Sequence, residues 1–259
     1  ALISSGGFLP TNSLDQIVKT TTQEIFLILS FLISMLNLFF FYNLFSEKNI
    51  LKKQYEDLLI TILVIFFSIL LLLFVKESDV FKSIIHVMSS ISTSGISIDK
   101  IDSNFSLYLL FLTVIGGSII STTSGIKAIR IYVLIKASFT EIIKLVKPNN
   151  IFNTNIFYSD NKINNENIKL SFIVFISFFI SLFVLAGVLL FDNINFENSF
   201  KLSLLTLTNT KASSLYGLGD INFSSLLTSS KISLIIFMII GKIELISLFL
   251  IIKKVFFKN

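Results

Sequence analysis

Cysteine and tryptophan are absent from this 259-residue chain, and histidine occurs once. Without cysteine there are no disulfides, no thiolate metal sites and no cysteine nucleophile. The lone His86 leaves no His-cluster metal site and no spare base for a Ser-His-Asp triad. Charge is scarce too, at 14% of residues, against about 25% in an average soluble domain. No secretory leader is legible at the start. The chain opens at Ala1, inside a motif, so a fragment of a longer protein is expected. The shortage of tryptophan beside abundant Phe, Ile, Asn and Lys matches an AT-rich coding bias.

What is present is apolar length. Hydrophobic residues make up 53% of the chain, with 29 phenylalanines, and several runs exceed the roughly 18 residues that mark a membrane span. The class expected is an all-α polytopic membrane protein. Spans are predicted at 23–45, 58–75, from about 105 onward, 170–191 and 231–252. Segments 80–91 and 196–207 are apolar but too short to cross, which suits helices that enter the membrane partway. Loops rich in Ser, Thr and Gly follow them: S-I-S-T-S-G-I-S-I at 90–98 and T-N-T-K-A-S-S-L-Y-G-L-G at 208–219. Non-helical backbone at membrane depth is tolerated only where protein or water covers it. Carbonyls displayed this way replace the water shell of a cation, and Gly95 allows the backbone to lie against such a path. The span from 105 is interrupted by G-G-S-I-I-S-T-T-S-G at 116–125, the composition of a broken helix near an ion path. Helical pattern resumes at Ile126, carries Lys127, Arg130, Lys136, Lys144 and Lys147, and stops at Pro148. Residues 149–168 read as an exposed, Asn-rich loop.

The order span, short helix, loop, span occurs at 58–136 and again at 169–252, with the end of an earlier copy at 1–45. S-S-G-G-F at 4–8 aligns with S-T-S-G-I at 92–96, pairing Gly7 with Gly95. The chain divides into the end of one repeat (1–45), a second repeat with a broken span (46–148), a loop (149–168), and a third repeat with the tail (169–259). Segments 46–57, 126–169 and 253–259 hold 13 Lys/Arg and 6 Asp/Glu, a balance of +7. The opposite face holds 7 and 9, a balance of −2, with Lys242 and Glu244 inside the last span on neither side. The basic side is expected in the cytoplasm together with the C-terminus. The net charge of +5 is therefore topological and implies no nucleic acid. An acidic outer face would draw cations, although the bias serves orientation alone equally well.

Several residues carry two readings. Gly116 and Gly117 fit close helix packing as well as an unwound hinge. His86 reads as a packed side chain, and Asn37 as polar glue between helices. Lys242 lies within a span, where a charge is functional by default, though lysines also snorkel. Lys144 and Lys147 fit a lipid-headgroup face.

Taken together, S-S-G-G-F, S-T-S-G-I, the stretch I-G-G-S-I-I-S-T-T-S-G-I-K-A-I-R at 115–130 with K-L-V-K-P-N at 144–149, and G-K-I-E-L at 241–245 resemble the TrkH/KtrB membrane subunits of bacterial potassium uptake systems. The likeness covers nearly the whole chain but only the second half of such a protein, in which four repeats surround one pore. It implies that Gly7 and Gly95 are filter glycines, with Ser5, Gly6, Thr93 and Ser94 offering neighbouring carbonyls to potassium. It implies an intramembrane gating loop at 116–125, with Gly116, Gly117 and Gly125, flanked by Lys127 and Arg130. Lys242 stands for a family arginine beside the pore that opposes permeation. The family's fourth loop reads close to N-x-G-P-G-L-G; here A-S-S-L-Y-G-L-G at 212–219 sets Ser214 and Leu215 at the filter position, Tyr216 at the proline, and Lys211 close by. The implied function is monovalent cation uptake or symport, most simply of potassium, across the bacterial inner membrane, without enzymatic activity and without a cofactor in this chain. The implied partners are membrane lipid, a second copy in a homodimer, and a cytoplasmic nucleotide-binding regulatory subunit. The alternative is a non-conducting scaffold that only assembles with partner subunits, which the substituted fourth loop favours.

Overall fold

A computed structural model describes residues 2–7, 14, 17–40, 42, 54–74, 79–98, 103–147, 155–159, 161–192, 194–218 and 223–243. Eight α-helices follow one another among them: α1 (Thr21–Met35), α2 (Tyr55–Phe74), α3 (Val80–Ile91), α4 (Ser103–Ile115), α5 (Ala128–Val146), α6 (Asn165–Leu190), α7 (Phe196–Leu207) and α8 (Thr228–Ile243). Within the described residues the only other pairing is a bridge between Asn155 and Lys162. Expectations for Phe8, Pro10, the end of the first span at 43–45, the linker at 46–53, Pro148 with 149–154, Gly219, Glu244 and the tail fall outside the described residues.

Length and composition sort the helices into two kinds. Helices α2 and α6 are long and apolar enough to cross a membrane, and only 33% of each spanning window is buried. Their outer faces carry Ile62, Ile65, Phe66, Ile69 and Leu73 on α2, and Phe172, Ile176, Ile180 and Phe183 on α6, all exposed. Such faces suit lipid, which is as apolar as they are. Helices α3 and α7 are short and sunk in the interior. Every residue from Ile85 to Ile91, and from Lys201 to Leu207, is buried. Each packs against three longer neighbours: α3 on α1, α2 and α4, and α7 on α4, α6 and α8. The unit of long helix, short helix, loop, long helix thus occurs twice, and α1 completes part of a third.

Polar side chains in the long helices satisfy themselves. The hydroxyls of Ser34, Ser68, Thr113, Ser171 and Ser181 donate to carbonyls three or four residues back, so none is left without a partner in an apolar surrounding. Close approach is made with glycine: a Cβ on Gly241 of α8 would fall 2.0 Å from the Leu207 carbonyl oxygen of α7.

Two boundaries depart from the sequence reading. Helix α6 starts at Asn165 rather than 170: Asn164 stands extended at its N-cap, and its carbonyl accepts the first helical bond from the Ile168 N–H. The first span does not run through Asn37. Helix α1 ends at Met35, Leu36 turns to ψ 162°, and the Asn37 N–H donates to the Asp57 carboxylate at 2.8 Å. Asn37 Oδ1 accepts from the Phe39 N–H, so its side chain stabilises a local turn while its backbone N–H ties the end of α1 to α2. His86 is buried in α3.

Candidate functional site

The short helices end where the loops begin, and both ends are built alike. After α3, the N–H groups of Ser92, Thr93 and Ser94 donate to the carbonyls of Met88, Ser90 and Ser89. After α7, those of Thr208, Asn209 and Thr210 donate to Leu204, Thr206 and Leu205 in the same pattern. A hydroxyl pair bridges each turn, Ser92 to Ser94 at 2.9 Å and Thr208 to Thr210 at 2.8 Å. Thr93 and Asn209 both take a left-handed φ, 56° and 51°. The first loop shares the motif: Ser5 donates to Leu2 and has φ 52°. Helix C-termini carry partial negative charge, so both short helices favour a cation at the loops they feed.

Two residues beyond each left-handed position lies the tip. Gly7 has φ 65° and Gly95 φ 68°, values that side chains with a Cβ rarely adopt. The tips crowd together. A Cβ on Gly7 would lie 2.2 Å from the Ser94 carbonyl oxygen and 2.8 Å from Lys211 Cβ; one on Gly95 would lie 2.6 Å from the Lys211 carbonyl oxygen. Ser94 and Thr93 are fully buried here, and Ser5 nearly so.

The fourth loop corrects the sequence reading. The residue that follows the matching turn, as Gly95 follows Ser94 and Gly7 stands two after Ser5, is Lys211, not Leu215, and Lys211 does not take the glycines' positive φ. Leu215 is 1% exposed and sits in a 3-10 turn, Ser214–Tyr216, packed on α4. It is a core residue. Tyr216 is buried beside it, with its hydroxyl 3.4 Å from Ser90 Oγ.

Beneath the tips runs the connection between α4 and α5. Its backbone turns at Gly116 (φ 66°) and Gly125 (φ 93°), and Gly117 lies against the Met35 carbonyl at the end of α1. The Ser118 N–H donates to that same carbonyl at 3.0 Å, and the Glu56 carboxylate accepts from the Ile119 N–H at 3.2 Å. The connection is strapped to the tips above it. Ser5 Oγ donates to the Thr122 carbonyl at 2.9 Å, Thr122 Oγ1 donates to the Ile3 carbonyl at 2.8 Å, and the Ser124 N–H reaches Thr93 Oγ1 at 3.3 Å.

Two ammonium groups hold neighbouring carbonyls of this strap. Lys242, in the last turn of α8, donates to the Thr122 carbonyl at 2.6 Å and to Ser5 Oγ at 3.4 Å. Lys127, at the N-cap of α5 with φ 78°, curls back to the Thr123 carbonyl at 2.6 Å. Both line a cavity of about 390 Å³ with Ser121, Thr122, Thr123 and Ser124. Arg130 follows one turn later on α5, half-buried. Gly6 joins Ser5 and Lys211 at a second, larger cavity of about 860 Å³ between the first loop, α7 and α8.

The arrangement offers backbone carbonyls and hydroxyls to a cation, and fixed positive charge below them. No group of three or more His, Cys, Asp or Glu that could hold a metal occurs among the described residues. Sequence reasoning missed Ser213, whose hydroxyl donates to the Gly95 carbonyl at 2.8 Å, and Ser89, which ties the third loop's return. It also missed Glu56 and Asp57, whose grip on the broken segments carries no sequence motif.

Residues 57–256 match the TrkH family, described as a cation transport protein. An uncharacterized cation transporter of Methanocaldococcus jannaschii is 25% identical over 191 residues, 70% of this chain and 37% of that protein. The crystal structure of the potassium transporter TrkH from Vibrio parahaemolyticus superposes with a TM-score of 0.82 at 21% identity, over 96% of this chain and 56% of that one. The chain thus spans between about a third and just over half the length of the relatives it matches.

Proposed function

The chain belongs to the TrkH family of cation transport proteins, membrane transporters rather than enzymes, and from that premise we propose that it forms part of a potassium uptake pore. Ions enter from outside, exchange water for carbonyls at Gly7 and Gly95 with Ser5, Gly6, Thr93 and Ser94 beside them, and meet a gate at 116–125. Lys242 and Lys127 hold that gate by its Thr122 and Thr123 carbonyls. The observation that carries this reading is the strap itself. The tips and the gate share hydrogen bonds at Ser5–Thr122 and Thr93–Ser124, so a shift in one shifts the other. The membrane potential supplies the drive, about 2.3 kcal/mol per charge per 100 mV. The basic face and the C-terminus lie in the cytoplasm of a bacterial inner membrane. There a nucleotide-binding partner subunit and a second copy of the protein would bias a two-state gate.

A second reading, a scaffold that does not conduct, is favoured by one observation: the Gly95 carbonyl is already occupied by the Ser213 hydroxyl.

The test is growth at low potassium and rubidium uptake in cells without their own potassium uptake, using the full-length protein that carries this chain. Wild type should restore uptake. Gly95→Ser should cut it by about tenfold or more, because the side chain is strained at that φ and meets Lys211. Lys242→Ala should raise it severalfold. No uptake by wild type, by Lys242→Ala or by the Lys211 variants below, with protein present in the membrane, selects the scaffold.

A further inference from the structure

Lys211 stands at the tip of the fourth loop, where the two other loops carry glycine. The match is made residue by residue. Thr208, Asn209 and Thr210 repeat the bonds of Ser92, Thr93 and Ser94, and the next residue in each case is the tip. The root of the Lys211 side chain lies against the Gly7 tip, 2.8 Å from where a Cβ on Gly7 would be. Its own carbonyl oxygen faces Gly95 at 2.6 Å from a Cβ there. A lysine stem therefore starts where the opposite loop's backbone passes.

Two further facts bear on what the ammonium does. It makes no hydrogen bond or ion pair among the described residues, unlike Lys127, Lys201, Lys231 and Lys242, each of which does. The same loop also takes an acceptor away from the path, since Ser213 donates to the Gly95 carbonyl. An ammonium is a compact monovalent cation on a flexible four-carbon stem, with the charge of the ion that the proposed function assigns to these loops. The cavity of about 860 Å³ that Lys211 lines with Ser5, Gly6 and Thr210 gives the stem a place to swing clear.

We propose that Lys211 is a tethered cation resident at the filter, which takes the place of one permeant monovalent cation and limits its entry. The inference rests on the cation-transport reading above. It makes Lys211 a brake on the outer side of the path, distinct from Lys242 and Lys127 on the gate below. Like charges this close oppose each other strongly outside bulk water, so entry waits on the stem leaving the tips.

The full-length protein in liposomes, measured by rubidium influx, tests this with Lys211→Gly, Lys211→Met and Lys211→Arg. Unchanged elution and melting temperature establish that each variant is folded. Gly and Met should each raise the initial rate by about tenfold or more, while Arg, which keeps the charge, should stay at the wild-type rate. A silent wild type with active Gly and Met variants supports both the transport reading and the brake. Equal rates for wild type, Gly and Met overturn the brake and leave the transport reading standing. Gain with Gly but not Met overturns the charge as the cause. Silence from every folded variant overturns the transport reading and this inference with it.

Discussion

The loop after α3 (92–98), third in the family's order, and the fourth loop after α7 start from the same scaffold and end in different tips. Both leave a buried short helix, repeat three backbone hydrogen bonds and a hydroxyl pair, and pass through one left-handed residue. The third then turns on Gly95 and returns through Ile96, whose N–H and carbonyl both bond Ser89 Oγ at 2.7 Å. The fourth puts Lys211 at the tip and Ala212 after it, and has Leu205 where Ser89 would be. Its return is anchored by packing, with Leu215, Tyr216 and Leu218 buried. One scaffold therefore serves two ends: a polar anchor presents a glycine tip, and an apolar anchor presents a charged one. Helix-end geometry is inherited by the repeat, while the group offered to the path is set by one residue.

Breaking the apolar anchor should have the largest effect on stability. Leu215→Ala removes a fully buried side chain and should cost about 2–5 kcal/mol, read as a lower melting temperature of the purified protein. Breaking the polar anchor comes next. Ser89→Ala strips two partners from buried Ile96 and should cost about 1–3 kcal/mol, with rubidium uptake falling because the Gly95 tip loses its support. An equal loss of uptake from Leu205→Ala would show that the two anchors do not differ in kind. The smallest effect is expected where the loops meet. Tyr216→Phe deletes a long hydrogen bond to Ser90 and should cost about 0.5–1 kcal/mol, close to the limit of a thermal-shift measurement.

Much of this was legible in the chain. The sequence predicts the two short helices at 80–91 and 196–207, the bounds the structure has, because loop residues close each segment at both ends. The interruption at 116–125 was legible from clustered Gly, Ser and Thr. The fourth tip was not. Aligning on the later Gly217 and Gly219 drew attention to Leu215, whereas counting from the end of the short helix would have found Lys211. Gly95 stands four residues after Ile91, and Lys211 four after Leu207. The end of α1 at Met35 was hidden for another reason. The turn after it is held by Asp57, a carboxylate on α2 that no local pattern announces, so a continuous apolar run reads as one span.

The most direct test compares Lys211→Gly with Leu215→Gly in the full-length protein, measuring rubidium influx and melting temperature on the same preparations. Lys211 at the tip and Leu215 in the core predict faster influx at an unchanged melting temperature for the first variant. They predict a lowered melting temperature with no gain in influx for the second. Faster influx from Leu215→Gly, with Lys211→Gly indistinguishable from wild type, would contradict the assignment and return the tip to Leu215.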